Sequence, residues 1–439
     1  MSRGRTDFSR RQFLAGASAA FAAPLVISRH VLGDEKNAAA NEKIALGAIG
    51  IGKMMHDYHL RHFVTMPEVK VVAVCDVDTT RRNAGKQQAD EAYGNTDCTA
   101  YTNYQDMLSR DDIDAVICAT PDHWHASIIL DACRAGKDIY CEKPLTNTLH
   151  EAKVVMDAVQ ASGVVFQTGS QQRASENFRY ACELVRNGRI GTIKFVLVNV
   201  GGPPVECTLP EEEIEPGLDW DRWLGPAPHR PYHSTLSPRG MHDHFPGWRS
   251  YREYGGGEMT DWGAHHFDIA QWGLGMDESG PVEIVVPRSP GANKGVRFIY
   301  ESGVEIIHGG DDGITFVGTD GEIFVNRRKL ESAPPQITAE SIAEGEIHLY
   351  NAPSNSHTGH RQDWINCIRA RRQPNCPVET GARSVAVCHL GNLVYLHGEQ
   401  LAGKRLRWDP DAWSFIDNDE ANTWRDYPYP RREGYQLPV

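Results

Sequence analysis

The chain has 439 residues, of which 40% are hydrophobic and 23% are charged, a composition typical of a globular protein. A chain of this length is expected to form two or three domains. Lysine and arginine number 45 against 58 aspartates and glutamates, which gives a formal net charge of −13. Since no block of basic residues occurs in the part expected to fold, nucleic acid and anionic membrane surfaces are not expected as partners.

Residues 1–40 are predicted to be a targeting segment and not part of the fold. They contain the paired arginines Arg10 and Arg11 in Ser-Arg-Arg-Gln-Phe-Leu, followed by an apolar run. The run spans about 14 residues, too short to cross a bilayer comfortably. The pattern resembles a bacterial twin-arginine export signal and predicts a periplasmic or cell-envelope protein. Cleavage near Ala38-Ala39-Ala40 and an uncleaved anchor are both open, and no membrane span is expected after processing.

The ten cysteines are predicted to be free thiols, although exported proteins often carry disulfides. No Cys-x-x-Cys pattern occurs, so a redox pair or a zinc ribbon is not indicated. A buried free thiol behaves as a small hydrophobic side chain. The cysteines that fall in predicted strands or helices are Cys75, Cys118, Cys133, Cys141, Cys182, Cys367 and Cys388.

The first motif predicts a dinucleotide-binding turn. A strand over residues 43–49 runs into Gly50-Ile51-Gly52, and a helical pattern starts near Lys53. Small residues in this context let the backbone approach a pyrophosphate at the start of a helix. Met55 occupies the third glycine position, which is a departure from the usual fingerprint.

An acid follows the next strand at the distance that ribose recognition requires. The strand Val69–Cys75 ends at Asp76, where a carboxylate can accept hydrogen bonds from a ribose diol and repel a 2′-phosphate. The sequence therefore favours NAD over NADP, and the nearby Arg81 and Arg82 are expected to soften that preference.

Two further strand ends carry chemistry-bearing residues. The strand 114–119 ends in Thr-Pro-Asp-His-Trp-His, which contains Thr120, Pro121 and His125. The next strand ends at Glu142-Lys143-Pro144, where the X-Pro bond favours extended geometry, so Lys143 is predicted to project from the carboxyl end of the sheet. The alternative is a surface lysine in a turn. Alternating strands and helices predict a doubly wound parallel sheet, hence an α/β nucleotide domain over residues 43–168.

These motifs, in this order, resemble the Gfo/Idh/MocA oxidoreductase family, named for glucose-fructose oxidoreductase and inositol dehydrogenase. The resemblance implies an N-terminal Rossmann domain, a C-terminal α+β domain with a large open mixed or antiparallel sheet, and NAD as cofactor. It also implies which residues contact the cofactor: Gly50, Gly52, Asp76, Thr120, Pro121, His125, Glu142 and Lys143.

The second half is predicted to form a substrate and oligomerisation domain over residues 169–404, followed by an extended tail over 405–439. Short strands with glycine-rich turns between 282 and 326 predict a mixed or antiparallel sheet. Trp220 and Trp223 lie in a turn-rich loop, where they are either loop anchors or platforms for stacking a sugar.

A second functional motif follows three glycines in the segment 255–268. Asp261, His265 and Asp268 recur at spacings of four and three, which places them on one helical face. An aspartate one turn before a histidine can orient the imidazole, although a capping aspartate and a buried core histidine are the alternative. The family resemblance favours the first interpretation, with Asp261 and His265 completing a catalytic site around Lys143.

Other polar residues near these motifs were considered as ligands. Arg173, Trp248 and Arg249 are predicted to contact substrate. The histidines at 242, 244, 265 and 266 match no standard zinc spacing, so no metal is expected.

The predicted activity is hydride transfer between NAD and a secondary hydroxyl of a sugar, glycoside or cyclitol, in a homo-oligomer. Export to a compartment with little free NAD makes a redox-neutral, NAD-dependent glycoside hydrolase the alternative. A non-catalytic sugar-binding protein on the same fold is the alternative of another class.

Overall fold

Two β-sheets organise the residues that the computed structural model describes, which are 43–350 and 357–437. The strands of the first sheet are β1 (Ile44–Ile49), β2 (Val69–Cys75), β3 (Thr99–Tyr101), β4 (Ala115–Cys118), β5 (Asp138–Cys141) and β6 (Phe166–Thr168). All neighbouring pairs are parallel, in the order β3-β2-β1-β4-β5-β6. This is the doubly wound order whose nucleotide site lies at the carboxyl ends of β1 and β4.

Helices connect these parallel strands, as the alternating pattern predicts. They are the π-type turns Met54–Leu60 continuing as Arg61–Phe63, then α1 (Thr79–Tyr93), a short helix Tyr104–Leu108, α2 (His125–Arg134) and α3 (Leu149–Ser162). Helix α1 begins where the Asp78 side chain accepts a hydrogen bond from the Arg81 amide, a standard N-cap. The predicted α/β nucleotide domain is confirmed.

The second sheet has nine strands and mixed pairing. They are β7 (Ile193–Val198), β8 (Glu283–Val285), β9 (Arg297–Ile299), β10 (Glu305–His308), β11 (Ile314–Gly318), β12 (Glu322–Val325), β13 (Leu330–Ala333), β14 (Arg405–Asp409) and β15 (Ser414–Ile416). Their order is β13-β12-β11-β7-β10-β9-β8-β14-β15. The β7–β10 pair is parallel and the other seven neighbouring pairs are antiparallel, so the predicted mixed sheet is confirmed.

Helices cover one face of this sheet. The longer ones in this half are α4 (Glu176–Arg186), α5 (Gly263–Leu274), α6 (His357–Ala370) and α7 (Val378–Leu396). Helix α5 packs against β7 and β11 and also against α4 and α7, so almost its whole length is buried. Because α5 is packed on several sides, the side chains at its N-terminal end are held rigidly.

Helix α6 lies on the nucleotide sheet, although it belongs to the second half of the sequence. Its Trp364 is fully buried and packs edge-on against Phe63 and Tyr140, with ring centroids 6.1 and 5.6 Å away. This helix therefore brings its polar residues close to β5 and to the turn after β5 that contains Lys143.

The predicted extended tail over 405–439 is wrong for its first part. Residues 405–416 form β14 and β15, which complete one edge of the second sheet. The strands were not predicted because their arginine-rich alternation, with Leu406 and Trp408 buried between exposed arginines, is short and borders a turn.

A small aromatic core lies outside both sheets, in the segment 201–257. Trp220 and Trp223 stack on each other with centroids 4.6 Å apart, and both are buried. Their burial agrees with the role of loop anchors. The short helices of this half are Gln171–Ala174, Trp220–Leu224, Gly247–Ser250, Glu258–Asp261, Gln336–Ala339, Gly398–Leu401 and Asp419–Thr423.

All ten cysteines are free thiols, and eight of them are buried. In the described part of the chain, no helix is both long enough and apolar enough to cross a bilayer.

A buried ion pair ties the second half together. Arg173 is 1% exposed and makes two 2.8 Å hydrogen bonds to the carboxylate of Asp268 in α5, and it also binds Asp277 at 2.7 and 3.2 Å. The Ser384 hydroxyl of α7 donates to Asp268 at 2.7 Å. These bonds fix α5 relative to α7 and to the turn that carries Arg173.

We predict that Arg173→Gln lowers the free energy of unfolding by about 3 to 5 kcal/mol, because it leaves the Asp268 carboxylate buried without its counter-charge. Urea titration followed by tryptophan fluorescence measures the change. Arg407→Gln is the matched control, since Arg407 and Asp417 form an exposed pair at 3.2 Å and its loss costs less than about 1 kcal/mol. Equal effects of the two variants would contradict the prediction.

Candidate functional site

The glycine turn after β1 approaches the end of β4. Gly50 has φ +81°, and a Cβ at this position would lie 2.8 Å from the Thr120 amide nitrogen. Only glycine adopts this conformation at so close an approach without strain. Gly52 has open space around its Cα, so its backbone faces the cleft. Met55 is fully buried, and its side chain occupies the helix face where the usual third glycine would be.

Asp76 lies in the same cleft, at the end of β2. Its carboxylate accepts hydrogen bonds from the Ile51 amide at 2.6 Å and the Asp78 amide at 2.8 Å, so it is held in one orientation. Burial raises the pKa of Asp76, against the opposing effects of the Arg81 charge and the two amides. The cleft has a volume of about 340 Å³ and is lined by Gly50, Gly52, Asp76, Thr120 and Pro121, as predicted.

Arg81 and Arg82 are already engaged. Arg81 hydrogen-bonds the Ser237 hydroxyl at 3.2 Å and the backbone carbonyls of Pro238 and Gly240. Arg82 donates to the Asp76 carbonyl at 2.7 Å and to the Thr79 hydroxyl at 3.2 Å. Both guanidinium groups make these contacts, and Arg81 also lines the cleft, so the expectation that they soften the preference for NAD stays a prediction.

His125 has a different place from the one predicted. It is fully buried, and its Nδ1 and Nε2 lie 2.9 Å from the Pro144 carbonyl and 3.1 Å from the Thr120 carbonyl. Carbonyls only accept, so these two contacts call for a proton on each ring nitrogen, which a raised pKa of His125 favours. Burial alone lowers the pKa of His125, but Cys118, Asp122 and the two carbonyls raise it overall. His125 does not line the cleft; it ties the Thr120 loop to the Lys143 turn.

A buried chain of hydrogen bonds holds Glu142. Arg361 of α6 donates from Nε to Nδ1 of His59 at 3.0 Å, and Nε2 of His59 donates to Glu142 at 2.9 Å. Burial tends to raise the pKa of Glu142, but His59, Lys143 and Arg361 together lower it. Glu142 is thus an anion whose charge is balanced from the protein side.

Lys143 pairs with Asp261 across the two halves of the molecule. Its ammonium group lies 2.5 Å from Asp261 Oδ1 and 2.8 Å from the Asp261 carbonyl oxygen. The sequence predicted that Asp261 would orient His265, and this is wrong. Glu258–Asp261 and α5 are separate helical segments, and the charged ammonium is a stronger partner for the carboxylate than a neutral imidazole.

His265 is buried beside this pair without a partner for one nitrogen. It is 3% exposed, and among residues 43–350 and 357–437 no group hydrogen-bonds its Nδ1. Burial, followed by the charges of Lys143 and Arg327, lowers the pKa of His265 well below its usual value. The imidazole is therefore neutral at pH 7 and able to accept a proton.

These side chains line a cavity of about 310 Å³ that adjoins the nucleotide cleft. Glu142, Lys143, Asp261 and His265 border the cavity, and Thr120, Trp248 and Arg249 border both spaces. Trp248 and Arg249 thus lie where substrate contacts were predicted. Arg173 does not: its guanidinium is buried between Asp268 and Asp277, and its predicted contact with substrate is corrected.

Three functional candidates were missed from the sequence. Asp122 borders the cavity, and burial raises the pKa of its carboxyl to about 7. Arg327 also borders it, from the turn between β12 and β13. Arg361 acts on Glu142 through His59. Asp122 lies inside the quoted Thr-Pro-Asp-His motif, so a signal existed there, whereas the two arginines reach the site only through the fold.

Metal-ligand residue types come together at one place in the described part of the chain. Cys118, His125 and Cys141 have ligand atoms within 4.8 Å of one another. Both His125 nitrogens already donate to carbonyls, which leaves no lone pair for a metal. Of the histidines considered from the sequence, His266 binds the Asn199 carbonyl at 3.1 Å, and His242 binds that of His244 at 2.8 Å.

Comparison with known families places this architecture. A family model described as the oxidoreductase family, NAD-binding Rossmann fold, matches residues 44–170. A second, described as the oxidoreductase family, C-terminal alpha/beta domain, matches residues 200–436. The chain belongs to the Gfo/Idh/MocA oxidoreductase family. Its Rossmann domain is an NAD-binding domain, and the geometry of Gly50 and Asp76 fits that cofactor.

Individual members of the family are distant relatives. A 1,5-anhydro-D-fructose reductase from Ensifer adhaerens is 28% identical over 303 residues, which cover 65% of this chain and 78% of the relative. A glycosyl hydrolase family 109 protein from Shewanella is 30% identical over 174 residues, 35% of this chain and 38% of the relative. The crystal structure of aldose-aldose oxidoreductase from Caulobacter crescentus superposes with a TM-score of 0.57 at 17% identity, covering 83% and 99% of the two chains. That structure shows the shared fold.

We predict that the protein binds NAD more tightly than NADP, and that Asp76→Ala narrows the difference by roughly 10-fold, because the variant loses acceptors for the ribose diol and a charge that repels a 2′-phosphate. Calorimetric titration of NAD and NADP into each variant measures this difference in affinity. Asp76→Asn keeps one acceptor oxygen for the Ile51 amide and tests the charge alone. Asp111→Ala, an exposed acid of the same domain, is the control. Tighter binding of NADP by the unmodified protein would refute the assignment.

Proposed function

We propose that the protein catalyses reversible hydride transfer between NAD and a secondary hydroxyl of a sugar, glycoside or cyclitol. The observation that carries the proposal is the cavity in which Lys143, Asp261 and His265 converge beside the nucleotide cleft. When bound, the nicotinamide supplies the hydride chemistry; the protein supplies binding, orientation and proton transfer. The sugar reductase relative is consistent with this class of substrate.

Each side chain has a role that its contacts support. His265 takes the hydroxyl proton, since its imidazole is neutral and its Nδ1 has no hydrogen-bond partner among the described residues. Lys143 stabilises the negative charge that develops on the oxygen. Asp261 is a positioning residue that holds the Lys143 ammonium at 2.5 Å and keeps it aimed into the cavity.

The proposed roles predict that Lys143→Ala and His265→Ala each lower turnover by on the order of 10²–10⁴, the range for a lost acid–base group. NAD affinity is expected to stay nearly unchanged, because neither side chain borders the 340 Å³ cleft. Steady-state NADH formation and nucleotide titration measure the two quantities. Lys153→Ala, an exposed lysine paired with Asp157 on α3, is the matched control. Near wild-type turnover in either site variant would remove that residue from the mechanism.

Asp122 supports a second candidate, the redox-neutral glycoside hydrolase. Oxidation, elimination and reduction require an extra acid–base group, and a cavity carboxyl with a pKa of about 7 has the protonation behaviour for that task. The glycosyl hydrolase relative matches 35% of this chain. A non-catalytic sugar-binding protein is the least supported function, because binding alone does not require a lysine, an unpartnered histidine and an NAD domain at one cavity.

Turnover of an active glycoside in deuterated water, without added acceptor, separates the two enzymes. We expect the dehydrogenase to form one ketone per NADH and leave the glycosidic bond intact. A hydrolase instead releases sugar carrying deuterium beside the transiently oxidised carbon, with no net NADH. Mass spectrometry of the product together with absorbance of NADH records both. Release of deuterated free sugar by the unmodified protein, and its loss in Asp122→Asn, would decide for the hydrolase.

We further propose that the protein is exported by the twin-arginine route and is a homo-oligomer. The paired Arg10 and Arg11 support export by this route, although they lie outside the described residues. Export that persists in the double variant Arg10→Lys, Arg11→Lys would refute the proposal.

The outer face of the second sheet supports a homo-oligomer, because the apolar residues Phe195, Leu197 and Ile307 are only half-buried there. A monomeric mass by light scattering would refute that proposal.

A further inference from the structure

Three cations and three carboxyl groups border the cavity beside Lys143, and burial raises the pKa of one of the carboxyls, Asp122, to about 7. Asp261 Oδ1 faces both the Lys143 ammonium at 2.5 Å and the Arg249 Nε at 3.7 Å. The Glu142 carboxylate accepts a hydrogen bond from His59, which Arg361 contacts from the far side. A third cation, Arg327, borders the same cavity.

Arg327 is held in place without an ion pair. The Asn326 side chain accepts hydrogen bonds from the Arg328 and Lys329 amides at 2.9 and 3.0 Å, which fixes the turn between β12 and β13. The Arg327 guanidinium lies 4.2 Å from the ring centroid of Trp262, whose side chain is itself 39% exposed. Within residues 43–350 and 357–437 no acid lies within 4 Å of this guanidinium and no acceptor is hydrogen-bonded to it. A stacked guanidinium keeps its in-plane N–H groups available for a ligand.

Arg249 has a similar arrangement on the other side of Asp261. Its guanidinium carbon lies 4.2 Å from the Trp248 ring and 5.0 Å from the Phe245 ring. One of its N–H groups donates to the Pro246 carbonyl at 3.2 Å. Its Nε lies 3.7 Å from Asp261 Oδ1, the same oxygen that the Lys143 ammonium binds.

We propose that this cavity binds a sugar carrying a carboxylate, with Arg327 as its principal partner and Arg249 as the second. The inference rests on the proposed hydride transfer and specifies its substrate as a uronic acid or a related sugar acid. A planar carboxylate matches the two parallel N–H groups of a guanidinium, and charge-assisted bidentate pairs are about twice as strong as neutral hydrogen bonds. A neutral sugar would leave the Arg327 guanidinium without a charged ligand.

Matched sugar pairs test the proposal. D-galacturonate and D-galactose, and D-glucuronate and D-glucose, differ by a carboxylate in place of a hydroxymethyl group. Each is titrated calorimetrically into the protein saturated with NAD, and each is assayed for NADH formation. We expect binding and kcat/KM to favour the acid of a pair by about 10-fold or more. Equal or stronger binding of the neutral sugars would overturn the proposal. A preference for the corresponding sugar phosphates would overturn the assignment of a carboxylate as the recognised group.

Variants at adjacent positions of the same turn assign the effect to Arg327. Arg327→Gln is expected to weaken binding of the acid by about 10- to 100-fold and that of the neutral sugar by less than about threefold. Arg328→Gln, at the next position of the turn and exposed like Arg327, is expected to leave both affinities unchanged. A loss of the same size for acid and neutral sugar in Arg327→Gln would contradict a carboxylate contact.

Binding and turnover separate this inference from the proposed function. Uronate binding that depends on Arg327, without NADH formation from any sugar, would support the inference and refute the hydride transfer. NADH formation from neutral sugars, without binding of sugar acids that depends on Arg327, would support the hydride transfer and refute the inference.

Discussion

The ion pair between Lys143 and Asp261 is the contact on which the rest of the site depends. It joins the turn after β5 of the nucleotide sheet to the short helix before α5, and both residues line the cavity to which the two halves of the chain contribute. Both ends are braced. His125 holds the carbonyl of Pro144, and the Arg173–Asp268 pair anchors α5. The pair lines the cavity and holds the Lys143 ammonium group at its border.

The same pair shows why the catalytic geometry differs from the sequence-based expectation. A spacing of four residues predicts that Asp261 and His265 contact each other within one helix. The structure interrupts the helix at Trp262 and gives Asp261 a partner 118 residues away, a competitor that no local pattern contains. His265 keeps its place in the cavity but stands without the aspartate, and its low pKa comes from burial.

Local signals were sufficient for the nucleotide domain. The strands, the Gly50 turn and Asp76 each follow from residues within a few positions of one another, and strand order then follows from the handedness of parallel connections. Features that arise from distant packing could not be predicted in this way. Arg173 was expected to contact substrate, yet two aspartates, from α5 and from the loop beyond it, enclose its side chain. The edge strands β14 and β15 and the role of Arg361 likewise depend on partners far away in the sequence.

The contacts of Arg81 have a kinetic consequence. Its guanidinium binds oxygen atoms of residues 237–240, and the Thr79 amide donates to the Gly217 carbonyl at 3.0 Å, so the segment 217–240 is fastened to the nucleotide domain beside the cleft. Leu236 and Ser237 of this segment line the cleft together with Arg81. Any movement of this wall must therefore break several partly buried bonds at once, and such local opening is slow. The rate of nucleotide exchange is then expected to depend on how often the wall opens.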